Sequence, residues 1–365
     1  MKHSCYIIFV ALGLLACTKA TPVDFNASID ANKNAKSLLE WDSSEENPKK
    51  LFQKYREQAA SDSTIGKTVC DGLAKLNGQD LSLFEEEINS STNAGLLKDC
   101  KSDLKKTLED YWKEQKESLK DSTLNFRFQP RAEKRDLSKG YRAATGDVQP
   151  KELVLSFDDG PEPSLTPRIL DILEMVQAKV MFFHVGPHVR QNPAIVKRAA
   201  LDGHIMGSHS MTHRCLASNA ICAKANNGTP LTFAEAEAEI RGGHQALQDV
   251  LGFVDPFFRF PFGESDPALS AFLASRQVGQ FYWNVDSGDW KAQDNKVLLQ
   301  NVLAQIDKVQ RGIVLFHDTQ RRTLEILPHF LRAIYDRGYT LVVLQPMDEQ
   351  ARYNSQLVTK APIIP

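Results

Sequence analysis

Hydrophobic and polar positions divide the chain into two unlike parts. From about Phe25 to Leu119 the sequence is rich in Lys, Glu, Asp, Leu and Ala, and its apolar side chains recur at the helical period. Leu104, Leu108, Tyr111, Trp112 and Leu119 make one stripe on a single helix face. This predicts a small all-α domain over 25–125. Its aromatics, Trp41, Phe52, Tyr55, Tyr111 and Trp112, could stack on sugars, but a stripe at helical spacing reads first as core, and nothing in this part has the makings of a catalytic centre. Between Phe126 and Pro150 the period vanishes, and Arg127, Arg131, Lys134, Arg135, Lys139 and Arg142 accumulate. That stretch reads as a linker over 126–150, a solvated connector first and a contact to an anionic wall polymer or lipid surface second.

After Pro150 the pattern changes to short β-rich apolar runs: Leu153 to Asp159, Val180 to Gly186, His204 to Ser210, Phe257 to Gly263, Gln280 to Asp286, Gly312 to Asp318, and Tyr339 to Leu344. Helical patterns lie between them at Thr166 to Gln177, Phe233 to Leu251 and Gln293 to Gln310. The alternation predicts βα units and a parallel sheet over 151–346. Seven runs whose polar residues gather at their C-terminal ends fit a barrel better than an open doubly wound sheet, because that is the face on which barrel loops build sites. The stretch 347–365 has no clear period and reads as a tail. No internal repeat is present.

Composition removes some function classes. With 44 basic against 46 acidic side chains and a formal charge of −2 on 365 residues, the chain has no sequence-wide footprint for a nucleic-acid backbone. A hydrophobic content of 42% argues against wholesale disorder. The first residues, Met1, Lys2 and His3, precede an apolar run from Tyr6 to Ala16 and then Cys17, Thr18 and Lys19, the pattern of a secretory signal over 1–20. The run is well short of the ~20 residues that span a bilayer as a helix. Leu14-Leu15-Ala16-Cys17 resembles the bacterial lipobox, which would leave Cys17 lipid-anchored. Ordinary cleavage after Ala20 would instead give a secreted protein. The expected compartment is the bacterial periplasm or cell envelope, with membrane contact only through that anchor, or otherwise the secreted fraction. Four cysteines remain in an oxidising compartment, and of their three pairings Cys70 with Cys100 and Cys215 with Cys222 is favoured because each pair lies within one domain. Four buried free thiols are the alternative; a zinc cluster lacks the close C-x-x-C spacing.

Chemistry gathers at the strand ends. Asp158-Asp159-Gly160-Pro161 closes the first run, and a turn there lets both carboxylates reach one pocket, one to bind a metal and one to move protons. Alone, these are two solvated turn residues. His209 and His213, four apart in His209-Ser210-Met211-Thr212-His213, can converge on one cation; with an Asp they make a two-histidine, one-carboxylate set that suits zinc and also ferrous iron. Arg259 in Arg259-Phe260-Pro261-Phe262-Gly263 can keep a carboxylate ionised and oriented. Asp286-Ser287-Gly288-Asp289-Trp290 adds a carboxylate and an aromatic wall. Leu315-Phe316-His317-Asp318 places a histidine on an apolar strand. One such histidine is more often core than catalyst. Five strand ends bearing reactive groups change that balance, because ionisable groups at core edges are costly without partners.

These five motifs, SFDDGP, HSMTH, RFPFG, DSGDW and LFHD, resemble in order those of the polysaccharide deacetylase family, also called the NodB-homology or carbohydrate esterase family 4 domain, over about Leu153 to Leu344. The resemblance implies a distorted (β/α)7 barrel, in agreement with the seven runs. It implies that Asp159, His209 and His213 bind one divalent ion, zinc foremost, that Asp158 is the general base positioned by Arg259, and that His317 is the general acid tuned by Asp289. Trp290 and Leu315 would wall an acetyl pocket. Phe262 stands where the family commonly has Tyr, keeping a backbone N–H for an oxyanion and losing a phenol; Ser156 stands where Thr is common.

The implied reaction is metal-assisted removal of N-acetyl groups from an envelope glycan, foremost the N-acetylglucosamine of peptidoglycan. Chitin deacetylation and acetylxylan hydrolysis would use the same centre. A barrel kept only to bind or scaffold carbohydrate is the reading of another class, disfavoured by the complete motif set. A serine hydrolase is disfavoured because no G-x-S-x-G elbow occurs. The stretch from Arg214 to Thr232, starting beside His213 and holding Cys215 and Cys222, is expected to be a long loop, either passive or shaping a groove rim.

Overall fold

The computed structural model describes residues 48–358 apart from Ala292. The signal pattern, Cys17 and Trp41 therefore lie outside the described residues. The described part opens with five α-helices: α1 (Pro48–Ala59), α2 (Ile65–Leu73), α3 (Gly78–Ser82), α4 (Glu85–Asn89) and α5 (Lys101–Ser122). Phe52, Leu73, Phe84, Ile88, Leu97, Leu104 and Leu108 form their core. A disulfide, Cys70–Cys100, ties α2 to the start of α5. The stripe predicted on α5 serves two partners. Leu104 and Leu108 enter the helical core, whereas Leu119 packs against the outer core of the following β/α unit and Trp112 touches both.

That unit is a parallel sheet of ten strands: β1 (Arg131–Arg135), β2 (Arg142–Ala143), β3 (Glu152–Asp158), β4 (Met181–His184), β5 (Ile205–Ser208), β6 (Phe257–Arg259), β7 (Gly279–Phe281), β8 (Val285–Asp286), β9 (Gly312–His317) and β10 (Thr340–Pro346). Pairing runs β9–β3–β4–β5–β6–β7, with β8 on β9, while β10 joins the start of β3. The result is an α/β fold of the distorted (β/α)7-barrel kind behind a helical N-terminal region. The helices between strands include α6 (Thr166–Met175), α7 (Gly186–Gln191), α8 (Pro193–Leu201), α9 (Ala220–Ala225), α10 (Phe233–Leu251), α11 (Pro267–Ser275), α12 (Asn295–Val309) and α13 (Arg321–Asp336). The boundaries of α10 follow from local chemistry: Thr232 and Glu235 close a capping box at its start, and Gly252 takes the left-handed conformation at its end, φ 78°.

Strand parity explains both the core and the site. Along β3, Leu153, Leu155 and Phe157 face the helices, while Val154 faces inward with Met181, Phe183, Ile205, Phe257, Phe281 and Ile313. Every second residue continues the inward face. Carried to the C-terminal strand ends, that same parity yields Asp158 from Val154, His209 from Ile205, Arg259 from Phe257, and His317 from Ile313. The apolar filling of the barrel therefore gives way, at the C-terminal strand ends, to a ring of ionisable side chains.

The structure departs from the sequence reading in three places. The stretch 126–150 is not a plain linker: β1 pairs with β10 and β2 with β7, and Phe126 and Phe128 are buried against the barrel. The run Gln280 to Asp286 breaks into β7 and β8, because the Tyr282 carbonyl accepts from Arg259 and Asn284 turns its side chain to the Ile313 N–H at 2.8 Å. The stretch 214–232 is not a plain loop: it carries α9 beside the expected disulfide, Cys215–Cys222, which is buried.

Candidate active site

Asp158 ends β3 and is 2% exposed. Its Oδ1 accepts from Nη1 of Arg259 at 2.6 Å, and the same guanidinium donates to Ser156 Oγ at 2.9 Å and to the Tyr282 carbonyl at 3.1 Å. Arg259 is fully buried with its plane near the Phe183 ring, 4.3 Å to the centroid. Burial lowers the guanidinium pKa and the Asp158 charge opposes that fall. Ser156 completes the brace by donating to the Val314 carbonyl at 2.9 Å.

Asp159, His209 and His213 come together. The Asp159 Oδ1 lies 3.4 Å from His209 Nε2 and 3.2 Å from His213 Nε2, and one donor atom from each residue falls within 4.8 Å of the others. His209 presents Nδ1 to the Arg259 carbonyl at 2.7 Å. A carbonyl can only accept, so Nδ1 carries the proton and Nε2 keeps its lone pair for the cluster. Burial holds the His209 pKa down at about 4, against the pull of Asp158 and Asp159, so the imidazole is neutral at pH 7. Burial would raise the Asp159 carboxyl, but the 3.2 Å approach of His213 Nε2 and the charges of His209, His213 and His317 hold it well below the usual range. Among the described residues, Asp159 Oδ1 is buried with no hydrogen-bond partner. An orphaned carboxylate oxygen facing two imidazole nitrogens fits a divalent cation, and one oxygen with two nitrogen donors suits zinc.

His317 reaches the cluster from β9, its Nε2 4.0 Å from Asp159 Oδ2. Fully buried Asp289 grips it twice, accepting from Nδ1 and from the His317 backbone N–H, each at 2.7 Å. Burial works against the imidazolium, but the Asp289 hydrogen bond and charge, helped by Asp158 and Asp159, outweigh it and raise the His317 pKa to about 9. Thr323 and Arg322 donate to the carboxylate and carbonyl of Asp289 in turn. Leu315, 3% exposed, lies two residues below His317 on the inward face. Phe262 and Trp290 are 53% and 56% exposed, and the Phe262 ring stands 5.1 Å from that of His213.

Four residues here hold left-handed backbones without being glycine: Asp159 (φ 73°), Ser210 (φ 71°), His213 (φ 58°) and Phe262 (φ 63°). Each such conformation costs about 1–3 kcal/mol and persists where surroundings over-determine it. No sequence period signals this. One neighbour that the motifs also leave unmarked is His188 at α7, whose Nδ1 meets the Asp159 carbonyl at 2.7 Å.

The five motif segments thus share one end of the barrel, and comparisons with known proteins bear on the family. The family profile described as polysaccharide deacetylase matches residues 145–279. Over 197 residues the chain is 31% identical to peptidoglycan-N-acetylglucosamine deacetylase PgdA of Listeria monocytogenes, covering 54% of this chain and 39% of that protein. It is 30% identical over 205 residues to the putative polysaccharide deacetylase YheN of Bacillus subtilis, covering 53% of this chain and 67% of the relative. A solved peptidoglycan deacetylase of Bdellovibrio bacteriovorus superposes with a TM-score of 0.64 at 44% identity, covering 93% of this chain and all of the other. The chain spans about two fifths of the length of the Listeria relative. At 30% identity over two thirds of the Bacillus subtilis relative and 44% identity over the whole of the Bdellovibrio structure, the chain belongs to the polysaccharide deacetylase family.

Proposed function

We propose that the protein hydrolyses N-acetyl groups on an envelope glycan, foremost the N-acetylglucosamine of peptidoglycan, and releases acetate. The observation that carries this reading is the pairing of two proton-handling groups with one metal-fit cluster: Asp158 meets it at His209, Oδ2 to Nε2 3.6 Å, and His317 meets it at Asp159. The names of the Listeria and Bdellovibrio relatives support the substrate. The exported, envelope-side location, with Cys17 as a lipid anchor, belongs to the same proposal; among the described residues no helix is long and apolar enough to cross a membrane.

A divalent cation held by Asp159, His209 and His213, zinc foremost, supplies Lewis acidity that makes water acidic near neutral pH and polarises a carbonyl. In our assignment Asp158, fixed through Oδ1 by Arg259, takes a proton from the attacking water on its other oxygen. Water oxygen bonds to the acetyl carbon, the C–N bond breaks, and acetate departs. An amine leaves only when protonated. His317 gives its Nε2 proton to that nitrogen, and Asp289 stabilises the imidazolium beforehand through Nδ1. The Phe262 backbone N–H is assigned to the developing oxyanion, a kind of donor worth about 10²- to 10³-fold in rate. Trp290 and Leu315 are assigned to the wall around the acetyl methyl, and the exposed Phe262 ring suits the apolar face of a sugar.

Acetate release from peptidoglycan, chitin oligomers and acetylxylan, each with and without chelator, tests this reading. Release from peptidoglycan that stops with chelator and returns with zinc is expected. No release from any of the three with zinc restored would favour a carbohydrate-binding protein instead.

A further inference from the structure

The left-handed backbone of Asp159 is what delivers its carboxylate to both histidines. Two backbone contacts hold it: its N–H donates to the Phe183 carbonyl at 3.2 Å, and its carbonyl faces Nδ1 of His188 at 2.7 Å. Because the carbonyl has no proton to give, His188 is the donor. The imidazole is set by its helix, whose neighbouring Val189 is fully buried. Its second nitrogen, Nε2, lies across the ring from that bond. The ring also lines an open cleft of about 400 Å³ shared with Asp159, His213, Pro187, Thr212 and Thr319, directly beside the metal-fit cluster.

We propose that His188 is a positioning residue for the metal-binding carboxylate and a contact for the glycan. Its Nδ1–H clamps the Asp159 backbone, and its Nε2 meets a hydroxyl of the sugar that occupies the cleft. The first half stands on the cluster alone; the second rests on the deacetylase reading. One ring thereby couples ion affinity to sugar binding through its two nitrogens.

Two reciprocal substitutions separate the halves, because an asparagine amide occupies the place of Nδ1 and a glutamine amide the place of Nε2. Zinc affinity is read by competition with a chromophoric chelator, and KM on an N-acetylglucosamine oligomer at saturating zinc. His188→Asn is expected to keep zinc affinity within about threefold of the wild type and to raise KM severalfold. His188→Gln is expected to weaken zinc about 10-fold or more, the scale seen when a partner of a metal ligand is lost, and to keep KM closer to the wild type. Wild-type zinc affinity in His188→Gln overturns the clamp. Wild-type KM in His188→Asn overturns the sugar contact. If the wild type releases no acetate from any glycan, the deacetylase reading and the sugar contact fail together, while the zinc comparison still decides the clamp.

Discussion

Asp289 holds His317 at two points, the ring Nδ1 and the backbone N–H, both at 2.7 Å, and is itself fully buried. A carboxylate in this position fixes the ring and keeps it protonated. Asp289→Asn should therefore lower kcat about 10²-fold or more, the range for losing a positioned general acid. It should also shift the pH profile. A raised histidine pKa keeps the acid form present as pH climbs, with loss near about 9; without the carboxylate's charge that alkaline limb must move to lower pH. A kcat–pH profile of the variant with an unmoved limb would remove Asp289 from this role.

Arg259 is the only guanidinium among the described residues that serves Asp158. Arg259→Met would leave a buried carboxylate unpaired, at a cost of about 3–5 kcal/mol, visible as a large fall in Tm. Arg259→Lys keeps a charge but cannot reach Asp158, Ser156 and the Tyr282 carbonyl together. The lysine variant should fold and lose up to about 100-fold in kcat with little change in KM, since misplacing a reacting group by about 1 Å has that scale. Equal kcat in wild type and lysine variant would show that Asp158 needs no fork.

Helix α10 reaches the site through a glycine. A Cβ on Gly243 would stand 2.5 Å from Ser208 Oγ and 2.6 Å from the Ser210 backbone. The Ser208 side chain and the Ser210 backbone, on either side of His209, would have to shift. Gly243→Ala is predicted to cost about 1–3 kcal/mol of stability and to weaken zinc binding, although the residue touches no candidate ligand. Gly252→Ala, where a Cβ meets nothing within 4 Å but φ is 78°, is the control: it should lower Tm and leave zinc affinity alone.

Two buried histidines away from the site set a pH dependence of stability. His204 accepts the Val180 N–H on Nδ1, and burial, with Lys179 and Arg198 nearby, lowers its pKa to about 3; burial lowers His244 to about 4. Unfolded, both titrate near 6.5. Between those values the unfolded chain binds protons that the folded one does not, so the stability present above pH 6.5 is lost as pH falls toward 4 and then 3. His204→Asn, which keeps an acceptor and removes the titration, should flatten the slope of Tm against pH in that window. Parallel slopes would contradict the assignment.

The site was legible to the extent that strand parity carried it. Asp158, His209, Arg259 and His317 sit at the ends of apolar alternations, so their convergence follows from the same period that fills the barrel. His188 and Gly243 were not legible, because a bond to a left-handed carbonyl and a close helix approach leave no period in the sequence. Strand β1, Arg-Ala-Glu-Lys-Arg, was hidden for another reason: it is charged, lies outermost in the sheet and is held by backbone pairing to β10 instead of by an apolar face. On the α5 stripe Leu104 and Leu108 are core as read, Tyr111, Trp112 and Leu119 are half-buried, and period alone could not divide the stripe between two cores.

Everything turns on whether Asp159, His209 and His213 clasp one ion. Equilibrium dialysis against zinc, followed by metal analysis of the chelator-stripped wild type and of His209→Ala, measures this directly. One zinc per chain in the wild type and a fall of at least about 100-fold in affinity in the variant are expected. Equal zinc content in both proteins, or none in the wild type, would contradict the account.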